Sequence, residues 1–328
     1  MPGAVTSLSI TMLDAARVRE VLPMADCIDA MAVAMRGTSD GSIAAPLRTV
    51  LPLAGGGGSF LVMPGAAAPR VYGAKLVGLH PGNPAHGRPA VQGLVMLFDH
   101  ASGTPLALLD GAEITALRTA AASGLATREL ARPDAVTLGL FGCGVQAVAH
   151  LEAIRCVRDI REVRVWGRTA ASARDFASRH GAAAAGMRIA AVATAEEAAA
   201  CDIVCVVTGA HEPVIHGAWL APGAHVNLVG AYTATTREAD SALIANARVY
   251  VDSRASAASE AGGLLIPLRE GAIGAGHIIG ELGEVLLGRV PGRGSDREIT
   301  VYKSLGLVAQ DLVAAEHALQ RHRELGGA

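Results

Sequence analysis

Aromatic side chains are scarce, at 3% of 328 residues: four Phe, four Tyr and two Trp. That removes the stacking platforms on which single-stranded nucleic acid is held. Neither sign of charge is in excess, with 28 Lys plus Arg against 30 Asp plus Glu and a net charge of −2. No basic field exists to bind a polyphosphate backbone or an anionic lipid surface. Cysteines are few and odd in number: Cys27, Cys143, Cys156, Cys201 and Cys205. They are scattered, and Cys201 and Cys205 lie four apart with no second ligand pair nearby, which argues against both a disulfide framework and a zinc site. His80, His86, His211, His216, His225 and His277 read as loop or strand-edge residues. No two of them have helical metal-ligand spacing, so no metal is expected. No run approaches the ~18–20 strongly apolar residues of a membrane span. The N-terminus, MPGAVTSLSITMLDAARVRE, has no basic stretch leading into an apolar run. It does not read as a secretory leader, and a cytoplasmic protein is expected.

What is present is apolar bulk. Hydrophobic residues make up 51% of the chain, enough for a large core, and the length suggests two domains. Residues 12–37 read as a helical stretch with Asp14 capping an early turn. The texture from 45 to 110 is then strand after strand: SFLVMPG (59–65), VYGAKLVGLH (71–80), VQGLVMLFDH (91–100) and LALLD (106–110). Strands without intervening helices imply a mainly antiparallel sheet. After an Ala-rich helix over 111–131, strands at 136–142, 162–167, 188–192, 202–208, 225–230 and 247–253 include helices at 145–155, 170–180 and 195–200 between them. That alternation predicts an α/β fold with a doubly wound parallel sheet. The Ala-rich stretch 182–200 reads as compositional bias within a βα unit. Ala261-Gly262-Gly263 and the 274–280 stretch read as loop and turn glycines, and the tail over 300–324 as one long amphipathic helix.

The strongest local feature is VTLGLFGCGVQAVAHLEAI. Gly142, Gly144 and Ala147 form a G-x-G-x-x-A turn that follows an apolar strand and opens a helix. The first glycine permits the turn, the second lets a pyrophosphate approach the backbone, and the small third residue packs helix on strand. Helix-start N–H groups then face the phosphates. The plainer alternative is a βα turn used for packing only. An NAD site usually carries an acidic residue about 20 residues on. Here the next strand ends in Gly167-Arg168-Thr169. A guanidinium and a hydroxyl suit a 2′-phosphate, so NADP(H) is expected ahead of NAD(H), the alternative coenzyme. The alternative for Arg168 is a solvated loop cation.

Three cations stand in apolar surroundings: Arg48 in APLRTVLPL, Lys75 in YGAKLVG and Arg118 in ITALRTAAAS. A buried cation is costly without a counter-charge, and a bound carboxylate would supply one. Each, taken singly, could instead snorkel to solvent.

The segments ITALRTAAAS, LGLFGCGVQAVAHLEAI, VRVWGRT, VYVDS and TVYKSLGLVAQDLVAA, in this order and spacing, resemble the ornithine cyclodeaminase and mu-crystallin family. The resemblance runs from about Arg48 to Asp311. It implies a Rossmann domain over 123–300, and a substrate-binding and dimerisation domain over 1–122 completed by a C-terminal helix within 301–328. It implies a homodimer acting on an amino or imino acid with NAD(P). By resemblance Arg48, Lys75 and Arg118 match carboxylate ligands, with Lys75 and Arg118 as the catalytic candidates. Thr119, Gly142, Gly144, Val145, Gln146, Arg168, Thr169, Thr208 and Ser304 match cofactor contacts. Gln92 and Glu260 fall at positions near the substrate pocket in some members.

One departure bears on the reaction. Cyclodeaminases of this family carry an aspartate in a GGD-like turn, where this chain has Gly230-Ala231-Tyr232. Cyclodeamination needs a base at the α-amino group, and a tyrosine with pKa near ~10 is a poor one. Tyr232 could donate a hydrogen bond to the substrate instead, and Asp240 is the substitute base if the alignment slips. The expected activity is therefore NAD(P)H-dependent reduction of a cyclic imino acid, Δ1-pyrroline-2-carboxylate or Δ1-piperideine-2-carboxylate. The alternatives are an ornithine cyclodeaminase, an amino-acid dehydrogenase, or a non-catalytic NADPH- and ligand-binding protein.

Overall fold

The computed structural model describes residues 10–181 and 186–327. Residues 1–9, part of the segment read for a leader, and 182–185, the start of the Ala-rich stretch, lie outside the described residues, as does 328. The chain divides into two compact units, Met1–Arg118 with Leu307–Ala328, and Thr119–Gly306. The first begins with β1 (Thr11–Leu13), α1 (Ala15–Val21) and α2 (Met24–Asp40). Strands β2 (Ile43–Ala44), β3 (Thr49–Pro52), β4 (Ser59–Ala67), β5 (Val71–Leu79), β6 (Val91–Asp99) and β7 (Pro105–Asp110) follow, and then α3 (Gly111–Leu130). The second unit continues with β8 (Thr137–Phe141), α4 (Val145–Val157), β9 (Glu162–Trp166), α5 (Ala170–Gly181), β10 (Arg188–Ala191), α6 (Ala195–Ala199), β11 (Ile203–Val206) and β12 (His225–Leu228). It closes with α7 (Ser241–Ala245), β13 (Arg248–Val251), α8 (Arg254–Glu260), α9 (Gly262–Arg269), β14 (Ile278–Glu281), α10 (Leu282–Leu286) and β15 (Thr300–Lys303). Helix α11 (Val308–Glu324) belongs to the first unit. No helix among the described residues is long and apolar enough to cross a membrane.

The helical stretch expected over 12–37 is a strand and two helices. Met12 pairs with Leu108 of β7 in parallel, and the Asp14 carboxylate accepts the Arg17 N–H at 2.8 Å to start α1. Pro23 then breaks the helix, because the residue before a proline is driven out of the α region; Leu22 sits at φ −126°, ψ 71°.

The first unit's sheet runs β1-β7-β6-β5-β4-β2, with β3 also on β4, and is antiparallel except for β1 with β7. Alternation along the strands gives it two faces. The cross-strand row Leu13–Leu109–Val95–Lys75–Met63 is buried, on the side covered by α11, against which α2 packs. Gly65 permits that covering: a Cβ there would come within 2.6 Å of Val308 at the start of α11. The next row, Met12–Leu108–Met96–Ala74–Pro64, lies on the other face and is open.

The second unit's sheet is wholly parallel, in the order β10-β9-β8-β11-β12-β15-β13-β14. This is the doubly wound architecture the alternation predicts. Apolar clusters cover both faces, one around Phe141, Val204, Val226 and Val301 and one around Leu138, Leu140, Ile154 and Phe176. The tail corrects the expectation of a single helix over 300–324. Thr300–Lys303 is a fully buried strand between β12 and β13; the β-branched and aromatic run Thr300-Val301-Tyr302, buried on both faces of a sheet, overrides a helical reading. Two glycine segments are also corrected. Gly280 lies within β14, paired with Tyr250, and Gly262 opens α9 with its N–H donated to the Thr233 carbonyl. His225 opens β12 and is fully buried against the Thr300 hydroxyl, 2.9 Å away.

Candidate active site: a dinucleotide turn and a buried cation pair

In the second unit the chain leaves β8 through Gly142, at φ 116°, a conformation closed to other residues. Its N–H donates to the Trp166 carbonyl at 2.9 Å, which ties the turn to the end of β9. Gly144 has ordinary backbone angles, and a Cβ built there meets nothing within 4 Å. The space beside it is open. Helix α4 starts at Val145 with no side-chain cap, and Val145 is exposed. Ala147 is fully buried in the cluster beneath β8. An uncapped helix start beside an open glycine is what a pyrophosphate needs.

Arg168 and Thr169 follow β9 and are exposed. Thr169 caps α5: its hydroxyl accepts the Ser172 N–H at 3.2 Å and lies 3.0 Å from the Ser172 hydroxyl. Trp166-Gly167-Arg168-Thr169 holds no carboxylate.

Thr208 lies beyond the end of β11. Its N–H and hydroxyl both donate to Glu238 Oε1, at 3.2 and 2.9 Å. The other Glu238 oxygen accepts the N–H groups of Gly230 and Ala231 at 2.7 and 3.0 Å. Glu238 therefore fastens the ends of two neighbouring strands. Burial pushes its carboxyl above the ordinary range, against the pull of Lys303. Lys303 is itself buried, donating to the carbonyls of Leu228 and Ala231; burial lowers its pKa. The Ser304 hydroxyl is buried and lacks a partner within the described residues, so a polar atom is left for a ligand. Thr119 is buried on α3, and Gln146 lies in the first turn of α4. These features fit a bound dinucleotide.

In the first unit Lys75 and Arg118 come together, and they are not without a counter-charge as the sequence suggests. Asp311 of α11, fully buried, takes both on one oxygen: Lys75 Nζ at 3.0 Å and Arg118 Nε at 2.9 Å. Gln310 Oε1 accepts Arg118 Nη1 at 2.7 Å. All four residues are buried. Two cations on one carboxylate leave one positive charge over. Burial lowers the Lys75 pKa to about 8, Asp311 working against that fall and Arg118 and Arg48 adding to it. Arg48 is half-buried, close enough to act on Lys75. Gln92 is not brought to this cluster. It pairs with Gly78, three residues from Lys75, and is exposed on the opposite face of the sheet. Asp311 and Gln310 escape a sequence reading that looks only for cations. Their signal is an acid and an amide inside the apolar run LVAQDLVAA.

Residues 9–325 match the model of the ornithine cyclodeaminase/mu-crystallin family. The chain belongs to that family. A Bacillus cereus Δ1-pyrroline-2-carboxylate reductase is 39% identical over 311 residues, covering 94% of this chain and 95% of that protein. The ketimine reductase mu-crystallin of Rattus norvegicus is 40% identical over 278 residues, covering 84% and 85%. Among solved structures, the Thermococcus litoralis Δ1-pyrroline-2-carboxylate reductase in complex with NADH and L-proline aligns with a TM-score of 0.93 at 36% identity, covering 97% of this chain and 99% of that one.

In this member of the ornithine cyclodeaminase/mu-crystallin family, the turn that carries the cyclodeaminase aspartate presents an exposed Tyr232. It adjoins the α8–α9 junction, where Gly262 bonds to Thr233 just after Glu260. Asp240 is engaged elsewhere. It caps α7 by accepting the Leu243 N–H at 2.9 Å, accepts the Gly217 N–H at 3.1 Å, and lies 3.1 Å from His216. A carboxylate committed to three partners is poorly placed to serve as a base.

Proposed function

We propose that this protein is an NAD(P)H-dependent reductase of a cyclic imino acid, converting Δ1-pyrroline-2-carboxylate or Δ1-piperideine-2-carboxylate to L-proline or L-pipecolate. The observation that carries the reading is the buried Lys75–Arg118 pair with its surplus positive charge. A buried surplus charge is stabilised by one incoming carboxylate. Arg118, with Nε and Nη1 held by Asp311 and Gln310, keeps Nη2 for that carboxylate, and Arg48 adds a second cation. The reduced nicotinamide, when bound, supplies a hydride to the C=N carbon. The π pair of the C=N bond then moves to nitrogen, which takes a proton. In this reading Lys75 donates it. Orienting the acid is the protein's main contribution, since the hydride chemistry is the cofactor's. In this reading the first unit holds the acid and the second the dinucleotide, through Gly142, Gly144, Val145, Gln146, Thr119, Thr208 and Ser304.

NADP(H) is the preferred coenzyme in this reading. Arg168, the Thr169 and Ser172 hydroxyls and the absence of a carboxylate after β9 support it. Self-association is also part of it. Met12, Leu94, Leu108, Met96 and Phe98 line the open face of the first unit's sheet, and Met12 is 75% exposed and Leu94 44%. An apolar face of that breadth marks an interface, and a second copy of the chain is its occupant.

Assay of the purified protein with each imino acid and each coenzyme, following NAD(P)H absorbance, tests the proposal. Consumption with either imino acid supports it. No consumption, together with ammonia release from L-ornithine, would replace it with cyclodeamination.

A further inference from the structure

We propose that Asp311 is a positioning residue of the reaction: it aims Lys75 and Arg118 as a matched pair of donors and keeps Lys75 protonated for delivery to the imine nitrogen. This rests on the reductase reading. The geometry behind it is a single carboxylate oxygen shared by Lys75 Nζ and Arg118 Nε, 3.0 and 2.9 Å away, in a cluster with no exposed member. The other Asp311 oxygen and Gln310 Nε2 are buried with no partner among the described residues. A buried orphan acceptor is costly unless the carboxylate has another use, and the pairing it makes with its first oxygen fixes two side chains from two different elements.

The groups that face Lys75 are few. Arg118 comes from α3, Asp311 from α11 and Arg48 from the segment before β3. Its neighbours on β4 and β6 are Met63 and Val95, both apolar. Of the charged groups, only Asp311 favours the protonated amine; the two arginines and burial all oppose it. Among the described residues, no other charged group acting on Lys75 favours that proton. The charge also sets a limit on ligands. One internal carboxylate cancels one of the two buried cations, so the cluster's charge favours one acid group and disfavours a second.

The test is Asp311→Asn in the full-length protein, with Asp311→Glu beside it. Protonated Lys75 is the active form, so kcat/KM of the wild type falls as pH rises through the Lys75 pKa. Removing an opposite charge within hydrogen-bond distance moves such a pKa by about one to three units. The Asn variant should therefore lose its activity limb at lower pH by that amount, with kcat/KM at pH 7 reduced about twofold for a one-unit shift and about ninetyfold for three. Asp311→Glu keeps the charge, and its limb should stay within half a unit, roughly, of the wild type. A merely structural role would lower activity without moving the limb. Should Asp311→Asn not fold, Lys75→Met and the Lys75→Met/Asp311→Asn double variant decide. If Asp311 acts through Lys75, the double variant keeps the kcat of Lys75→Met and only its KM rises, through Arg118; a further, roughly tenfold fall in kcat overturns the proposal. An unmoved limb in a folded Asp311→Asn variant also overturns it. Failure of the wild type to reduce either imino acid refutes the reductase reading instead, and L-proline titrations by calorimetry separate the cases: loss of affinity in Asp311→Asn persists even there if Asp311 orders the two cations.

Discussion

The two glycines of the Gly142–Cys143–Gly144 turn should respond oppositely to the same methyl group. At Gly142 a Cβ would sit 2.8 Å from the Val207 carbonyl oxygen, on a backbone with φ 116°. The backbone strain alone is worth roughly 1–3 kcal/mol. For a domain of this size that corresponds to a fall in Tm of about 2–12 °C. At Gly144 the backbone is extended, and a Cβ meets nothing within 4 Å. Gly144→Ala should leave the apo melting temperature unchanged or slightly raised, because it restricts the unfolded chain by about 0.4–1 kcal/mol. Its methyl would instead stand where the pyrophosphate approaches. Losing one charge-assisted hydrogen bond there costs about 1.5–3 kcal/mol, which is a fall in NADPH affinity of about 10- to 150-fold. Thermal melts of the apo proteins and NADPH fluorescence titrations measure both quantities. Unchanged NADPH binding by Gly144→Ala, or an unchanged melt for Gly142→Ala, would refute the reasoning from which the dinucleotide site is built.

Arg168→Ala should raise the KM for NADPH about tenfold, the size of one charged hydrogen bond, and leave that for NADH unchanged; steady-state kinetics with both coenzymes check it. Asp240→Ala removes the α7 cap and should cost about 1 kcal/mol in denaturant melts with turnover intact, whereas lost turnover in a folded variant would make Asp240 a base after all. On the proposed self-association, Leu94→Asp on the open sheet face should shift sedimentation towards monomer without loss of fold.

Much of this was legible in the residues alone. Strands β4 to β13, the turn at Gly142 and the capping by Asp14 are local signals, carried by period, composition and short spacing, whereas the short β1, β2, β3 and β14 are not. The strand over Thr300–Lys303 was not, because its neighbours β12 and β13 lie dozens of residues away in the chain, and a short TVYK before a helix reads as that helix's first turn. Asp311 was missed for the same reason. Its partners Lys75 and Arg118 precede it by 236 and 193 residues, and no local pattern announces such a pairing. Lys75 stands out in an apolar strand, but the first partner the fold supplies for it is internal. Gln92 lies on the opposite face of the sheet from Lys75, because side chains alternate along a pleated strand.

The first unit is interrupted by the second, and α11 returns to it only after residue 306. On the ribosome, β5 and α3 emerge long before the helix that neutralises them. Until then, Lys75 and Arg118 are two like charges destined for an apolar interior, and a nascent first unit cannot close over them. The insertion thus imposes an order of events: the parallel sheet is free to fold while the antiparallel one waits for its last helix. Premature arrest of translation before Asp311 should therefore yield chains with a protease-resistant middle and a cleavable beginning.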